Sequence, residues 1–364
     1  MRVGINLPVE DWRRCGPVAA TAEAAGIDLV TTNENKHEPF TPLAFAGLAT
    51  SQIELATSVA IAFPRSPMIV ASMSWELARH SGGRFVLGLG TQVRAHNERR
   101  FSVPWVAPAA RVGEYVQALR AIWQCWETGG PLDYAGEHYR FSLMNEGFSP
   151  GPNHLPMPPV TLAAVGPLML RTAARLCNGV RLHSFATRAY LEHQVEPTIT
   201  KGLAEVGMPR ERFEVSGGGF IATGPNAKAV KVEAERIRTR VAWYASTPAY
   251  RTVLEQHGLG GLGMRLSVMA RREEFKEMSA LIPDEVLQLF AAIGPYDVIA
   301  EKIAARFGGL IDTVVIPFPG DADPGTVRAV VREAQAIPTR FKGFQSPDQP
   351  DAEVEGVGAG RRGE

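Results

Sequence analysis

Between residues 53 and 92 the chain changes character three times. Residues 53–61 (IELATSVAI) form a largely apolar, β-branched run of strand length, too continuous for a half-exposed strand. Ser66-Pro67 then supplies a helix N-cap followed by proline at the first helical position. Apolar residues recur at helical spacing over 68–80, and Gly82-Gly83 closes that helix. Residues 84–89 form a second buried strand, running into Gly88, Gly90 and Thr91. Two buried strands joined by one helix make a βαβ unit, which demands a parallel sheet covered by helices.

The same alternation extends in both directions. Strands are predicted at 2–6, 27–32, 160–165, 180–184, 213–223 and 311–318, with helices between them. The loop 92–108 leads into a strong amphipathic helix over 109–126, and 132–141 predicts a small hairpin. The helix after the sixth strand runs to Val206 with a break near Pro197, and residues 226–307 predict helices around a glycine-rich segment. Eight strands alternating with helices suit a closed (β/α)8 TIM barrel. At 364 residues the chain exceeds the ~250 typical of that fold. We therefore expect one barrel domain over 1–343 with insertions near 92–108, 130–158 and 226–300. The remainder, 344–364, lacks an apolar pattern and is expected to be a disordered tail.

Composition narrows the classes. Lys+Arg and Asp+Glu both number 38, so nothing global favours nucleic acid or an anionic membrane surface. No apolar run reaches the ~18 residues of a membrane span, and the opening MRVGINLPVEDW meets charge too early for a signal peptide. Three scattered cysteines, Cys15, Cys125 and Cys177, argue against a disulfide framework and for a reducing, cytoplasmic setting.

In a (β/α)8 barrel the functional groups stand at the carboxyl ends of the strands. Several such positions here are Gly, Ser or Ala, a floor with little side chain that suits a large flat ligand or simply closes tight turns. Glu34 and His37 share the loop after strand two and supply a carboxylate and an imidazole for acid–base work or for holding a polar ring edge. The turn Ala164-Val165-Gly166-Pro167 offers backbone N–H groups and a helix N-terminus to a phosphate, though an ordinary βα turn has the same form. Gln92, Arg94, His96, Glu98, Arg99 and Arg100 form a polar cluster that either binds an anion or pairs with itself. Two glycine-rich strings mimic dinucleotide fingerprints. The one at 88–93 lacks the third glycine, and the one at 258–263 follows a helical pattern rather than a strand. Neither H-E-x-x-H nor C-x-x-C occurs, so no metal site is expected.

Taken together, Thr57-Ser58-Val59-Ala60, Pro64-Arg65-Ser66-Pro67, Ser81-Gly82-Gly83-Arg84-Phe85 and Leu87-Gly88-Leu89-Gly90 resemble the third and fourth βα units of the bacterial-luciferase-like superfamily. Gly26-Ile27-Asp28, Arg111 with Glu114, and Ala163 to Pro167 extend the likeness to about Phe318. Within that superfamily the chain is most similar to the deazaflavin (coenzyme F420)-dependent oxidoreductases, relatives of methylenetetrahydromethanopterin reductase. The resemblance implies a cofactor ring over strands three and four, resting on a non-prolyl cis peptide at Ser58-Val59. Ser58, Val59, Ala60, Gly90 and Thr91 would support the ring. Val165, Gly166 and Pro167 would take its phosphate, and Gln92 and His96 would border the substrate or the phosphate chain. The family's acidic residue after strand two falls on Glu34. Many members have histidine next, where this chain has Asn35, so the proton-handling role falls to either Glu34 or His37.

The implied activity is hydride transfer between F420 and an organic small molecule, by a homodimer without nucleic-acid or membrane partners. Two alternatives stand beside it: an FMN-dependent monooxygenase on the same fold, and a barrel that binds without turnover.

Overall fold

A computed structural model describes residues 1–344; the expected tail from Gln345 lies outside the described residues. Eight parallel strands form the barrel: β1 (Arg2–Asn6), β2 (Leu29–Thr32), β3 (Glu54–Thr57), β4 (Phe85–Gly90), β5 (Val160–Ala164), β6 (Gly179–Leu182), β7 (Glu214–Gly217) and β8 (Thr313–Val315). Each pairs with its sequence neighbours, and β8 pairs with β1, so the sheet closes without a free edge.

Side-chain alternation divides the strands into an inner and an outer set. The lower inner layer is charged. Arg2 bridges Glu54 at 3.0 Å and Glu214 at 2.9 Å, and Arg181 lies 3.5 Å from Glu214 while donating to Thr161 and Ser216. Four alternating charges thus run across the barrel axis from β3 to β6. Phe344, read from sequence as the start of the tail, seals this end by packing on Leu29, Ala56 and Val86. Arg2 also sits 5.6 Å from the ring centroid of Phe341.

The helix Pro67–Ser81 begins and ends on the predicted signals. Ser66 accepts the Met68 N–H, and Gly82 takes the left-handed conformation at φ 66°. Arg84 then donates to the carbonyls of Gly47, Thr50, Ile53 and Ser81, tying two helix ends to the start of β3.

Three readings change. The 53–61 run is two strands, Glu54–Thr57 and Ala60–Ile61, separated by the cis peptide Ser58-Val59. Between Ala56 and Ala60 the chain spends one residue more than β4 does between Val86 and Leu89, which makes a bulge. The 213–223 run also splits. Gly217 and Gly218, at φ 88° and 79°, turn the chain out of the barrel, and Phe220–Ala222 pairs with Ala291–Ile293, a strand unmarked in the sequence pattern. The loop 92–108 contains a short helix, Arg94–Arg99, anchored by buried Asn97, which donates to the carbonyls of Thr91 and Val93. Pro197 lies inside the helix Glu196–Val206, and the break comes just before it, as a π turn over Leu191–Val195. The 258–263 string opens the helix Gly260–Arg271 and follows another helix, so it has no dinucleotide-binding context.

Candidate active site

The carboxyl ends of β3, β4 and β5 carry a floor of small side chains, and the candidate residues lie at differing distances from it. At the bulge the ladder between β3 and β4 would leave Gly88 without partners, and the Thr57 hydroxyl replaces them. It donates to the Gly88 carbonyl at 2.7 Å and accepts the Gly88 N–H at 2.8 Å. Gly88 has no room for a side chain, because a Cβ would stand 1.9 Å from the Thr57 carbonyl oxygen. Ser58 N–H bonds the Thr32 carbonyl at 2.6 Å, and the Ala62 N–H bonds the Gly90 carbonyl at 2.9 Å. A Cβ on Gly90 would meet Val59 Cγ2 at 2.6 Å and Ala163 Cβ at 3.5 Å. Val59, Gly90 and Ala163 therefore meet as one closed surface, with Ser58 and Ala60 beside it.

Glu34 is held on three sides. Its carboxylate receives both terminal nitrogens of Arg65 at 2.8 Å, and Oε2 also accepts the Ile61 N–H at 2.7 Å. Arg65 in turn donates to the Ile61 carbonyl at 3.0 Å and lies 5.7 Å from the Phe40 ring centroid. The pair acts as a surrogate neighbouring strand for Ile61, completing its N–H and its C=O just beyond the bulge. Among the described residues no hydrogen bond joins Glu34 to His37. His37 is exposed, on a surface cleft of about 450 Å³ shared with Val9, Asp11, Trp12 and Phe45.

Thr91 and Gln92 follow the floor directly. Gln92 has φ 57°, and its side-chain carbonyl accepts the Val93 N–H at 2.9 Å. His96 is exposed on the short helix. Arg100 donates to the Asn35 carbonyl at 2.8 Å and so joins the loop after β4 to the loop after β2. Just beyond β5, Gly166 caps the helix Pro167–Leu176, and a Cβ there would meet nothing within 4 Å. The Tyr190 hydroxyl fixes the turn by donating to the Val165 carbonyl at 2.8 Å.

Arg111 and Glu114 serve the neighbouring hairpin. Arg111 donates to the Tyr139 hydroxyl, and the Glu114 carboxylate accepts the N–H groups of Glu137, His138 and Tyr139. Glu114, Glu137 and His138 bring their ligand atoms within 4.8 Å of one another, but Glu114 already spends both oxygens on the backbone.

Sequence reasoning selected His183 as a strand-end residue and named Tyr244 as a candidate for the substrate pocket in the insertion, but did not join them or include Tyr250. His183 follows β6 and lies against two tyrosines, Tyr244 at 4.4 Å edge-on and Tyr250 at 4.8 Å stacked. Only its place at a strand end marked it. The tyrosines lie more than sixty residues further along the chain, and no local pattern links them to it.

A closed parallel barrel with a small-residue floor and a helix N-terminus at its mouth has the frame of a barrel enzyme. The family model for luciferase-like monooxygenases matches residues 1–313, and the chain belongs to that family. It is 42% identical over 305 residues to an uncharacterised protein of Mycobacterium tuberculosis, covering 84% of this chain and 90% of that one. It is 28% identical over 289 residues to 5,10-methylenetetrahydromethanopterin reductase of Archaeoglobus fulgidus, covering 78% and 82%. The solved structure of the coenzyme F420-dependent tetrahydromethanopterin reductase from Methanopyrus kandleri shares the fold, with a TM-score of 0.73 at 20% identity, covering 92% of this chain and 98% of that one. No helix of the described residues is long and apolar enough to cross a membrane.

Proposed function

We propose that this barrel is an oxidoreductase that transfers hydride between deazaflavin coenzyme F420 and an organic small molecule bound above the floor. The observation that carries the reading is the floor itself. Val59, Gly90 and Ala163 close into a surface too tight for a further side chain, whereas Gly166, just beyond β5, opens on free space. A flat ring fits the first and a phosphate fits the second. A putative coenzyme F420-dependent oxidoreductase of Mycobacterium tuberculosis, 28% identical over 304 residues, supports the choice of cofactor class.

In this reading Ser58, Val59, Ala60, Gly90 and Thr91 support the ring. Val165, Gly166 and Pro167 receive phosphate through backbone N–H groups and the helix dipole. Gln92 and His96 border the phosphate chain or the substrate. When bound, a deazaflavin supplies hydride chemistry, and the protein supplies orientation and control of protons. Glu34, with both oxygens engaged by Arg65 and Ile61, is a positioning residue that holds the strand Ala60–Ile61 under the ring. His37, exposed at the same mouth, is then the member of the pair left to exchange a proton.

The test is titration of the purified protein with F420 and with FMN while oxygen consumption is recorded. F420 binding without oxygen uptake supports the proposal. Tight FMN binding with reductant-dependent oxygen uptake assigns the monooxygenase reading, which the family's name favours.

A homodimer belongs to the same proposal. An apolar groove of about 460 Å³ lies between the helices Thr41–Ala49 and Pro67–Ser81, and Leu48 on its rim is 80% exposed. Leu48→Glu should shift sedimentation from dimer toward monomer; a wild-type monomer at micromolar concentration contradicts this part.

A further inference from the structure

The polar cluster after β4 divides into a paired half and an unpaired half. Arg94 meets Glu98 at 2.9 Å within the helix Arg94–Arg99. Arg99 and Arg100, both exposed, have no carboxylate partner among the described residues. Arg100 is nevertheless held. Its Nη2 donates to the Asn35 carbonyl at 2.8 Å and its guanidinium lies 4.8 Å from the Phe101 ring centroid, while Nε and Nη1 stay unbonded. Because β3 lies between β2 and β4 in the sheet, that bond spans the end of β3, where Ser58 to Ala60 follow. Lys36, next to Asn35, is exposed and has no acid partner among the described residues either. The acids of the same loops are engaged elsewhere: Glu34 by Arg65 and Ile61, Glu38 by the N–H groups of Phe40 and Thr41, Glu98 by Arg94. With Arg65 included, five cations stand against these three acids, a local excess of two in a chain whose 38 basic and 38 acidic residues balance.

We propose that Arg100, Arg99 and Lys36 receive a carboxylate or phosphate group of the substrate, which makes the substrate an organic anion. This rests on the hydride-transfer reading and adds the substrate class to it. The planar guanidinium matches either oxyanion, and Arg100 meets it with the N–H groups that Asn35 leaves free. Arg99 and Lys36 stand beside it in the chain or across the loop contact and add charge. The phosphate turn proposed for the cofactor follows β5, outside the span from β2 to β4, so the two anions take separate seats. An anion held at this rim anchors one end of the substrate and limits the positions its other end can take over the floor. The same cations draw anions to the mouth, an effect that salt screens.

Isothermal titration of the full-length protein tests this with glutarate, a dicarboxylate, and glutaramide, its uncharged counterpart of similar shape. Both are titrated into cofactor-free protein and again with F420 bound. The expected result is millimolar glutarate binding in both forms and no glutaramide binding. Glutarate binding should weaken several-fold as salt rises from about 50 to about 200 mM. R99Q and K36Q should each weaken it about two- to fivefold, and R99Q/R100Q about tenfold. R271Q, which removes an exposed arginine of the insertion, should leave it unchanged. Arg99 and Lys36 bond no side chain among the described residues, so their variants guard against a folding defect in R99Q/R100Q. Equal binding of both probes, indifference to R99Q and K36Q, or an equal loss in R271Q overturns the assignment. If R99Q/R100Q weakens F420 itself and F420 excludes glutarate, the cations serve the cofactor's anionic chain, which overturns the substrate class. The cofactor-free titration reports on the cation cluster and F420 binding on the proposed function, so the two can fail independently.

Discussion

Replacing Glu34 by Gln separates a clamp from an acid–base group. The carboxylate makes two 2.8 Å contacts to Arg65 and one of 2.7 Å to the Ile61 N–H, with side-chain exposures of 9% for Glu34 and 20% for Arg65. Removing one partner of a fully buried pair costs about 3–5 kcal/mol. Arg65 keeps some water, the Ile61 carbonyl and the Phe40 ring, and Gln still offers one acceptor oxygen. The expected loss is therefore about 2–3 kcal/mol, read as an earlier urea midpoint with an unchanged slope. Arg65→Met should cost a similar amount, and the double variant should lose less than the sum of the two, a coupling of about 1.5–2 kcal/mol. F420 fluorescence titration of the same variants should show weaker binding, because the strand Ala60–Ile61 borders the floor. If Glu34→Gln keeps wild-type stability and cofactor affinity yet loses one limb of its pH–rate profile, Glu34 is a proton carrier and the clamp reasoning fails.

Two further variants probe the scaffold. Thr57→Val removes a buried hydroxyl that serves both backbone groups of Gly88; a loss of about 2–4 kcal/mol in chemical denaturation is expected, and a change under 0.5 kcal/mol would mean the bulge satisfies itself in another way. Glu214 is fully buried, which alone would raise its pKa, but Arg181 and Arg2 hold it below the ordinary value. Its stabilisation is then complete above the unfolded-state pKa of ~4.3 and is lost as pH falls through the lower folded value. Glu214→Gln should cost about 3 kcal/mol at pH 7 and flatten the acid limb of the stability profile below about pH 4.3; an unchanged acid limb refutes the assignment.

Much of the barrel was legible because its signals are local. Ser66-Pro67 and Gly82 punctuate one helix, and the strands they separate are apolar throughout. The resemblance, rather than any spacing, pointed to the cis peptide at Ser58-Val59, and that bond is cis. The helix Arg94–Arg99 escaped notice because its residues are polar and its N-cap, Val93, makes no side-chain cap; tertiary burial of Asn97 holds it. Ala291–Ile293 is three residues long and follows the helix Asp284–Phe290 without a break signal. At the site, Glu34 could be picked out by its loop, but Arg65, which decides what Glu34 can do, lies on another element. His183 owes its surroundings to Tyr244 and Tyr250, which only the folded insertion brings to it.

The central claim is a deazaflavin over the floor of β3 and β4, and fluorescence titration of the purified protein with F420, run beside FMN under an oxygen electrode, tests it most directly. The account predicts saturable F420 binding that weakens when a side chain is added by Gly90→Val, with no reductant-dependent oxygen uptake. FMN binding in preference to F420, with oxygen consumed on reduction, would contradict it.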